Sequence, residues 1–309
     1  MNALDICVYT YSALHNRRGI SRFAFSPFRR LVRSLTAYWV PRYFQRTPLP
    51  EAVQQTDLIV SLTSFPARIH KVSRVIQCFL RQTVSPTQII LWLSKEQFAG
   101  QQLPDELLAL QGNIFSIRWV DGDIRSHKKY FYVLSEYPSQ RVLLVDDDLY
   151  YPTDMVETML KAACQYPGRV ICRYGSLEEF KDGELLPYRS WWREIAGESD
   201  HPHFFFGSGG GTLLTRDMLY KDVLNIDLAL ELTPLADDVW LNAMVNLQGT
   251  RKHKVKFGLI LPVEDTQRVK LAAINVGEDQ NTVQIQRIVQ YYRSKYQLNP
   301  FPENLNHHK

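Results

Sequence analysis

Three consecutive carboxylates, Asp146, Asp147 and Asp148, follow the apolar run RVLLV. Adjacent carboxylates repel one another, and burying them without a partner costs free energy, so a positive charge must neutralise them. Mg²⁺ and Mn²⁺ prefer oxygen ligands and commonly share them with substrate phosphates. If a strand over residues 141–148 carries them, Asp146 and Asp148 lie on one side and act together. The string predicts a site for a divalent metal, and a solvated acidic turn is the alternative.

A second acidic pair, Asp237 and Asp238, stands at the head of a predicted helix over residues 239–248. One carboxylate in such a place can act as a general base and take the proton from an attacking hydroxyl. Acidic residues are also favoured at helix N-termini for electrostatic reasons alone. Plain helix capping is therefore the alternative to a catalytic role.

The string GSGGGTLL, residues 207–214, contains Gly209, Gly210 and Gly211. Glycine lets the backbone approach a ligand closely, which predicts a loop beside the substrate; a plain flexible turn is the alternative. The string lacks the Lys–Ser/Thr ending of a P-loop, which argues against ATP binding in that mode.

Lys128 and Lys129 open a predicted helix over residues 127–137, where the first backbone N–H groups also favour an anion. Both lysines are candidates for binding a phosphate, and a solvated helix start is the alternative. Asp123 lies just upstream and either accepts a hydrogen bond from a ribose or base or belongs to the loop before the helix.

Short apolar strands alternate with helical patterns from residue 57 to residue 174. This alternation predicts βαβ units, a mostly parallel central sheet flanked by helices and the α/β class. Ligands of such sheets bind outside the carboxyl ends of the strands. The first predicted strand begins at Asp57, and the others cover 88–94, 113–120, 141–148 and 169–174. The predicted helices cover 68–82, 104–111, 127–137 and 154–166.

The regular alternation of strands and helices weakens in residues 175–206, and this segment is predicted to form a β-excursion or a lid. Trp191 and Trp192 in this segment offer flat faces that suit a sugar acceptor, and closing a small hydrophobic cluster is the alternative. Further predicted elements are helices at 215–224, 236–249 and 280–296 and a strand at 254–261. We divide the chain into an arm (1–55), a catalytic domain with two halves (56–150 and 151–280) and a C-terminal helix and tail (281–309).

The formal charge of +4 over 309 residues is unevenly distributed. Residues 1–50 contain eight Arg, one Asp and no Lys or Glu, so the rest of the chain carries a net −3. In residues 17–46 the arginines interleave with aromatic side chains, a combination that suits an anionic membrane surface. A basic helical hairpin packed on the body or on a partner is the alternative, and no motif indicates nucleic-acid binding.

No secretory signal or apolar run of membrane-spanning length is visible, so we expect a cytoplasmic protein, peripheral at the inner face of the membrane. The four cysteines, at 7, 78, 164 and 172, form no CxxC pair and are expected to be reduced.

The string VDDDLYYP resembles the DxD motif of GT-A-fold glycosyltransferases. The order of signals around it, over residues 57–265, is also similar to that fold, and SLTSFPARI is similar to family-2-like bacterial enzymes that build surface polysaccharides. The resemblance implies transfer of a hexose from a nucleotide-diphosphate sugar, with UDP favoured, to a glycan or lipid-linked acceptor. It also implies a bound Mn²⁺ or Mg²⁺ on the diphosphate.

The same resemblance implies roles for individual residues. Asp148 would bind the metal, Asp146 the metal or the ribose, and Asp238, with Asp237 beside it, would be the base of an inverting transfer. The nucleoside and donor would lie against Thr63, Phe65, Arg68, Asp123, Lys128, Lys129, Asp146 and Asp147, and the acceptor against Trp191, Trp192, Gly209, Gly210 and Gly211.

One departure concerns the third metal ligand, because LPVEDTQ, residues 261–267, stands where many such enzymes place a His. Either Glu264 or Asp265 replaces it or that ligand is absent. Two other functions remain open: a metal-dependent nucleotidyl- or phosphotransferase using the same acids, and a non-catalytic membrane-associated scaffold.

Overall fold

The computed structural model of the protein describes residues 1–14, 25–50, 56–191, 196–266 and 279–304. Its strands are β1 (Leu58–Thr63), β2 (Gln88–Ser94), β3 (Phe115–Val120), β4 (Arg141–Val145), β5 (Leu149–Tyr150), β6 (Val170–Cys172), β7 (Gly175–Leu177), β8 (Phe180–Lys181), β9 (Glu184–Leu185), β10 (Phe204–Phe206), β11 (Gly210–Leu214), β12 (Lys252–Lys254) and β13 (Leu261–Pro262). Its α-helices are α1 (Ala3–Ala13), α2 (Ser26–Arg46), α3 (Ile69–Phe79), α4 (Asp105–Leu108), α5 (Lys128–Glu136), α6 (Met155–Gln165), α7 (Ile226–Leu232), α8 (Asp237–Gln248) and α9 (Gln280–Tyr296).

A central sheet of the described residues has seven strands in the order β12-β6-β11-β4-β1-β2-β3. Every neighbouring pair is parallel except those of β11, which runs antiparallel to both β4 and β6. Along β1, Leu58, Val60 and Leu62 enter the core on one face and Ile59 enters the core on the other. Helices cover both faces, with α3 and α6 on the first and α5, α8 and α9 on the second. The predicted α/β class with a mostly parallel sheet is confirmed.

The strand order reverses between β1 and β4. From β1 the chain moves outward to β2 and then β3, and it returns to place β4 on the other side of β1. A crevice opens at such a reversal, outside the carboxyl ends of the two strands, and ligands of open α/β sheets bind there. Thr63 and Val145 end these strands, so the residues that follow each of them line this crevice.

The N-terminal helix α1 belongs to the body of the protein. Leu4, Cys7 and Val8 are fully or almost fully buried in the same core as β1. Asp5 accepts hydrogen bonds from the Thr153 backbone N–H at 2.7 Å and from the Thr153 hydroxyl at 2.6 Å, just before α6. Part of the basic stretch at 17–46, residues 17–24, lies outside the described residues.

Several predicted elements differ in the structure. The predicted strand at 141–148 ends at Val145. The predicted strand at 254–261 is wrong, because β12 ends at Lys254 and β13 begins only at Leu261. The predicted helix at 215–224 is two 3₁₀ turns, because Tyr220 between them has an extended ψ of 150°. Helix α7 was not predicted.

The glycine-rich string is not a flexible loop, because Gly210–Leu214 forms β11 in the middle of the sheet. Glycine is a poor strand former, so the sequence did not indicate a strand. No described helix is long and apolar enough to span a bilayer.

Candidate active site

The three consecutive aspartates lie beyond the end of β4, at the reversal of the strand order. The Asp146 backbone N–H donates to the Gly209 carbonyl at 3.1 Å and to the Tyr151 hydroxyl at 2.8 Å. The Tyr151 hydroxyl in turn donates to the Gly209 carbonyl at 2.5 Å. The DDD turn and the glycine-rich string are therefore tied together at their backbones.

Lys129 joins the two acidic motifs. It is in the first turn of α5, and its Nζ lies 2.9 Å from Asp146 Oδ1 and 3.0 Å from Asp237 Oδ2. Only 5% of the lysine side chain is exposed. Burial would lower the pKa of Lys129, but Asp146, Asp237 and Asp238 raise that pKa well above its usual value. The ammonium is therefore charged and neutralises this end of the site.

Asp237 and Asp238 differ in their electrostatic environment. Ser208 donates through its hydroxyl to Asp237 Oδ2 and through its backbone N–H to Asp238 Oδ1, each at 2.7 Å. Burial opposes ionisation of Asp237, but Lys129 holds the pKa of that carboxyl below its usual range. Burial and the adjacent charge of Asp237 raise the pKa of Asp238 to about 7. At neutral pH one carboxylate is ionised and the other is poised to exchange a proton.

Arg68 neutralises the other two aspartates of the DDD turn. Its Nη1 lies 2.8 Å from Asp147 Oδ1 and 3.1 Å from Asp148 Oδ2, and the Ser64 hydroxyl donates to Asp147 Oδ2 at 2.5 Å. Burial raises the pKa of Asp147 even though Arg68 favours the charged form. Strand β4 ends at Val145, so the strand alternation from which the pairing of Asp146 with Asp148 was predicted does not extend to these residues, and Arg68 joins Asp147 to Asp148.

Lys128 points away from Lys129 and the DDD turn. Its ammonium forms an ion pair with Asp123 and contacts Gln97 Oε1 at 3.2 Å, and Gln97 donates to Asp123 Oδ2 at 2.7 Å. This second polar group lies just beyond the carboxyl ends of β2 and β3. His127 is buried, and its Nε2 donates to the Thr233 carbonyl at 2.8 Å. Burial lowers the pKa of His127, so it adds no charge.

Thr63 and Phe65 lie beside Arg68 at the end of β1. The Thr63 hydroxyl donates to the Trp92 carbonyl of β2 at 2.8 Å. The Arg68 guanidinium carbon lies 5.3 Å from the centre of the Phe65 ring. The structure thus brings these residues to the same crevice as the DDD turn, where a nucleoside was predicted.

Gly209, Gly210 and Gly211 are all buried. A Cβ on Gly209 would lie 1.8 Å from Asp146 Cγ, and one on Gly210 would lie 2.6 Å from Tyr174 Cβ. Gly211 has a φ of +107°, which side chains rarely adopt. Gly209 is needed for close packing on Asp146 and Gly210 for close packing on Tyr174, which is a different role from that of a plain flexible turn.

Trp191 does not face a substrate crevice. Its ring packs on Tyr188 and Phe205, its Nε1 donates to the Leu186 carbonyl at 2.8 Å, and it is 2% exposed. It closes a hydrophobic cluster, which corrects its prediction as an acceptor platform. Trp192 lies outside the described residues.

The carboxylates of the site can hold a divalent metal through only a few protein ligands. In the described parts of the chain, no three His, Cys, Asp or Glu side chains are grouped as metal ligands. Asp147 has both oxygens engaged, and Glu264 pairs with Arg74 and accepts from the Tyr150 hydroxyl at 3.0 Å. Asp146 pairs with Lys129 and Asp148 with Arg68, and these two aspartates are the metal ligands that the sequence predicted. They fit Mg²⁺ or Mn²⁺, which are commonly held by one or two carboxylates and substrate phosphates.

Three residues of the site were missed by sequence reasoning: Ser64, Tyr151 and Ser208. Ser64 lies within SLTSFPARI, Ser208 lies within GSGGGTLL, and Tyr151 follows the DDD turn by three positions. The two serines are far from their carboxylate partners in the sequence, 83 positions for Ser64 and Asp147 and 29 for Ser208 and Asp237, so no local signal marks them.

We expect Gly209→Ala to lower the free energy of unfolding and to displace Asp146. The added methyl group would overlap the Asp146 carboxyl, and the hydrogen bond from the Asp146 N–H to the Gly209 carbonyl keeps the two residues close together. Urea unfolding measures the effect. Gly112→Ala is the matched control, because nothing lies within 4 Å of a Cβ at that position. Equal stability of the two variants would contradict the packing described here.

We expect Lys129→Met to destabilise the fold by about 3–5 kcal/mol, because it leaves buried Asp237 and its neighbours without a compensating charge. Urea unfolding at pH 7 measures the loss. Lys161→Met is the control, since Lys161 pairs with Glu157 on the exposed surface and such a pair contributes about 0–1 kcal/mol. A loss at Lys129 no larger than at Lys161 would show that the buried pairs do not support the fold.

No protein-family model matches the chain, and no curated protein matches it. Among solved structures, it is similar to the mannosyltransferase PcManGT from Pyrobaculum calidifontis in complex with GDP-Man and Mn²⁺. The match has 11% sequence identity and a TM-score of 0.46, and it covers 88% of this chain and 74% of that one.

Proposed function

We propose that this protein is a glycosyltransferase that moves a hexose from a nucleotide-diphosphate sugar to a hydroxyl of a glycan or lipid-linked acceptor. The observation that carries the proposal is the position of the Asp237–Asp238 pair at the reversal of the strand order. Lys129 pairs with Asp237 and with Asp146 of the DDD turn, so it joins the two acidic groups. A group that can take a proton near neutral pH thus lies in the crevice where α/β sheets bind nucleotides.

Asp238 is the proposed general base. Its carboxylate accepts the proton of the acceptor hydroxyl while the oxygen forms a bond to the anomeric carbon. The bond from that carbon to the diphosphate oxygen breaks, and its electron pair leaves with the nucleoside diphosphate. Attack opposite the leaving group inverts the anomeric configuration. The pKa of about 7 suits this role because a base works best when its pKa is close to the working pH.

Asp237 and Lys129 have a supporting role in this proposal. Asp237 stays ionised through Lys129, and its charge helps to raise the pKa of Asp238. Ser208 donates to both carboxylates and so orients the pair. The protein thereby separates the behaviour of two adjacent acids, one held as an ion and one free to exchange its proton.

Arg68 and the N-terminal turn of α5 line the crevice where the diphosphate of the donor is proposed to lie. Arg68 lies on the β1 side of the crevice, and α5 enters it from the opposite face of the sheet. A divalent metal held by Asp148 and Asp146 would neutralise negative charge on the diphosphate as it leaves. UDP is the proposed nucleotide, and bacterial surface polysaccharide is the proposed destination of the sugar.

We expect Asp238→Asn to lower turnover of a nucleotide sugar by about 10²–10⁴-fold, the contribution typical of a general base. The assay measures release of nucleoside diphosphate from a panel of nucleotide hexoses with Mn²⁺ present. Asp227→Asn is the matched control, because Asp227 is an exposed acid in the first turn of α7. If both variants keep full turnover, Asp238 is only a helix-capping residue. Consumption of nucleoside triphosphates in place of nucleotide sugars would favour a nucleotidyl- or phosphotransferase.

The pH profile gives an independent prediction. Since the base must be ionised, kcat/KM is expected to rise as the pH increases through about 7, the pKa of Asp238. A rate that is already at its plateau at pH 5 would contradict this assignment, because the carboxyl would then titrate in the ordinary aspartate range.

A further inference from the structure

Helix α2 presents an apolar face to solvent. Thr36, Val40 and Phe44 are its buried residues, and they recur every fourth position on the side that faces the body. Four other side chains on the helix are large, apolar and between 45% and 57% exposed: Phe28, Leu31, Tyr38 and Trp39. Of the eleven large apolar side chains exposed in the described part of the chain, these four lie on this one helix.

The exposed side chains form one stripe. At 100° per residue, Phe28, Leu31, Tyr38 and Trp39 fall within an arc of about 100° on the side of α2 away from Thr36 and Phe44. We call this stripe, together with Arg42 and Arg46 in the same arc, the outer face of α2. A helix that uses one apolar stripe to pack on the body and carries a second one outward has a surface available for a partner.

The charge of α2 indicates what that partner is. Arg42 and Arg46 lie on the outer face, three further arginines (Arg29, Arg30 and Arg33) lie elsewhere on the helix, and the helix carries no acidic residue. The chain beyond residue 50 has a net charge of −3, so an anionic surface attracts this helix and does not attract the rest of the protein. The Arg42 guanidinium carbon lies 3.5 Å from the centre of the Tyr38 ring, which places a cation directly beside the exposed aromatics.

The helix is firmly attached to the body. Arg81, from the end of α3, donates through Nη2 to the Phe44 carbonyl at 3.1 Å and to the Thr47 carbonyl at 2.7 Å. Val40 is fully buried in the core that also contains α1 and β1. A partner that binds the outer face of α2 therefore holds the whole body of the protein and not only this helix.

We propose that the outer face of α2 docks the protein on a membrane that contains anionic phospholipids. The helix lies in the plane of the interface, its outer aromatic and leucine side chains enter the boundary between headgroups and acyl chains, and Arg42 and Arg46 bind phosphate groups. Its 21 residues give a contact about 30 Å long. This proposal does not rest on the proposed function, because none of its residues belongs to the DDD turn or the Asp237–Asp238 pair.

Vesicle flotation of the full chain tests the proposal. Vesicles of phosphatidylcholine alone are compared with vesicles that also contain phosphatidylglycerol. We expect binding to the second kind only, weakened by salt because exposed charges are screened. Arg42→Gln with Arg46→Gln is expected to weaken binding roughly thirtyfold, since each basic residue at an anionic surface contributes about fivefold. Phe28→Ser with Trp39→Ser is expected to weaken it at least about tenfold through lost apolar burial.

Two matched controls show whether the loss of binding is specific to α2 or follows from removing any exposed arginine or tryptophan. Arg287→Gln with Arg293→Gln removes two exposed arginines from α9, and Trp119→Ser removes an exposed tryptophan from β3. Both are expected to bind vesicles as the unchanged protein does. Urea unfolding of each variant confirms that it is folded.

Three outcomes would overturn the proposal. The first is equal binding to both kinds of vesicle or to neither. The second is an equal loss in the control variants. The third is a concentration-dependent dimer, formed without lipid and abolished by Phe28→Ser with Trp39→Ser, which would assign the outer face to a second copy of the chain. Turnover of free nucleotide sugar is expected to stay unchanged in the α2 variants, so a failure of docking is distinguishable from a failure of the proposed function.

Discussion

The site depends on one buried ammonium, that of Lys129, held between Asp146 and Asp237. These two carboxylates come from different parts of the chain, one after β4 and one at the start of α8. Asp237 is buried, so without a cation between them the two carboxylates would repel each other with little screening on the Asp237 side. The lysine therefore fixes the distance between the DDD turn and the Asp237–Asp238 pair. Through Asp237 it also influences the proton affinity of Asp238.

Strand β11 provides the backbone for the same junction. It runs antiparallel between β4 and β6, and the residues that precede it touch both acidic motifs. Gly209 gives Asp146 the space that any side chain would fill, and Ser208 donates to both Asp237 and Asp238. The single strand of the sheet that breaks its parallel order is thus the one that joins its two acidic groups.

Much of the fold could be predicted from the sequence because β1, β2 and β4 are apolar runs with helices between them, the pattern of a sheet covered on both faces. Strand β11 could not be predicted, because glycine is rare in strands. The close packing that requires glycine depends on Asp146 and Tyr174, which are distant in the sequence. For the site, the requirement for a cation beside the DDD turn was predictable from repulsion alone. Which cation pairs with Asp147 was not predictable, because Arg68 lies 79 positions from Asp147 and only the pairing of β1 with β4 brings the two residues together. Trp191 was misjudged because its segment has no periodicity to distinguish a buried ring from an exposed one.

The central claim is that the fold makes Asp238 a carboxyl that titrates near neutral pH beside an ionised Asp237. Carbon-13 NMR of the protein labelled at its aspartate carboxyl carbons tests it most directly, with the Asp238 signal assigned by its absence in Asp238→Asn. The account predicts a titration midpoint for Asp238 near pH 7. A midpoint near 4, the usual value of an aspartate carboxyl, would contradict it.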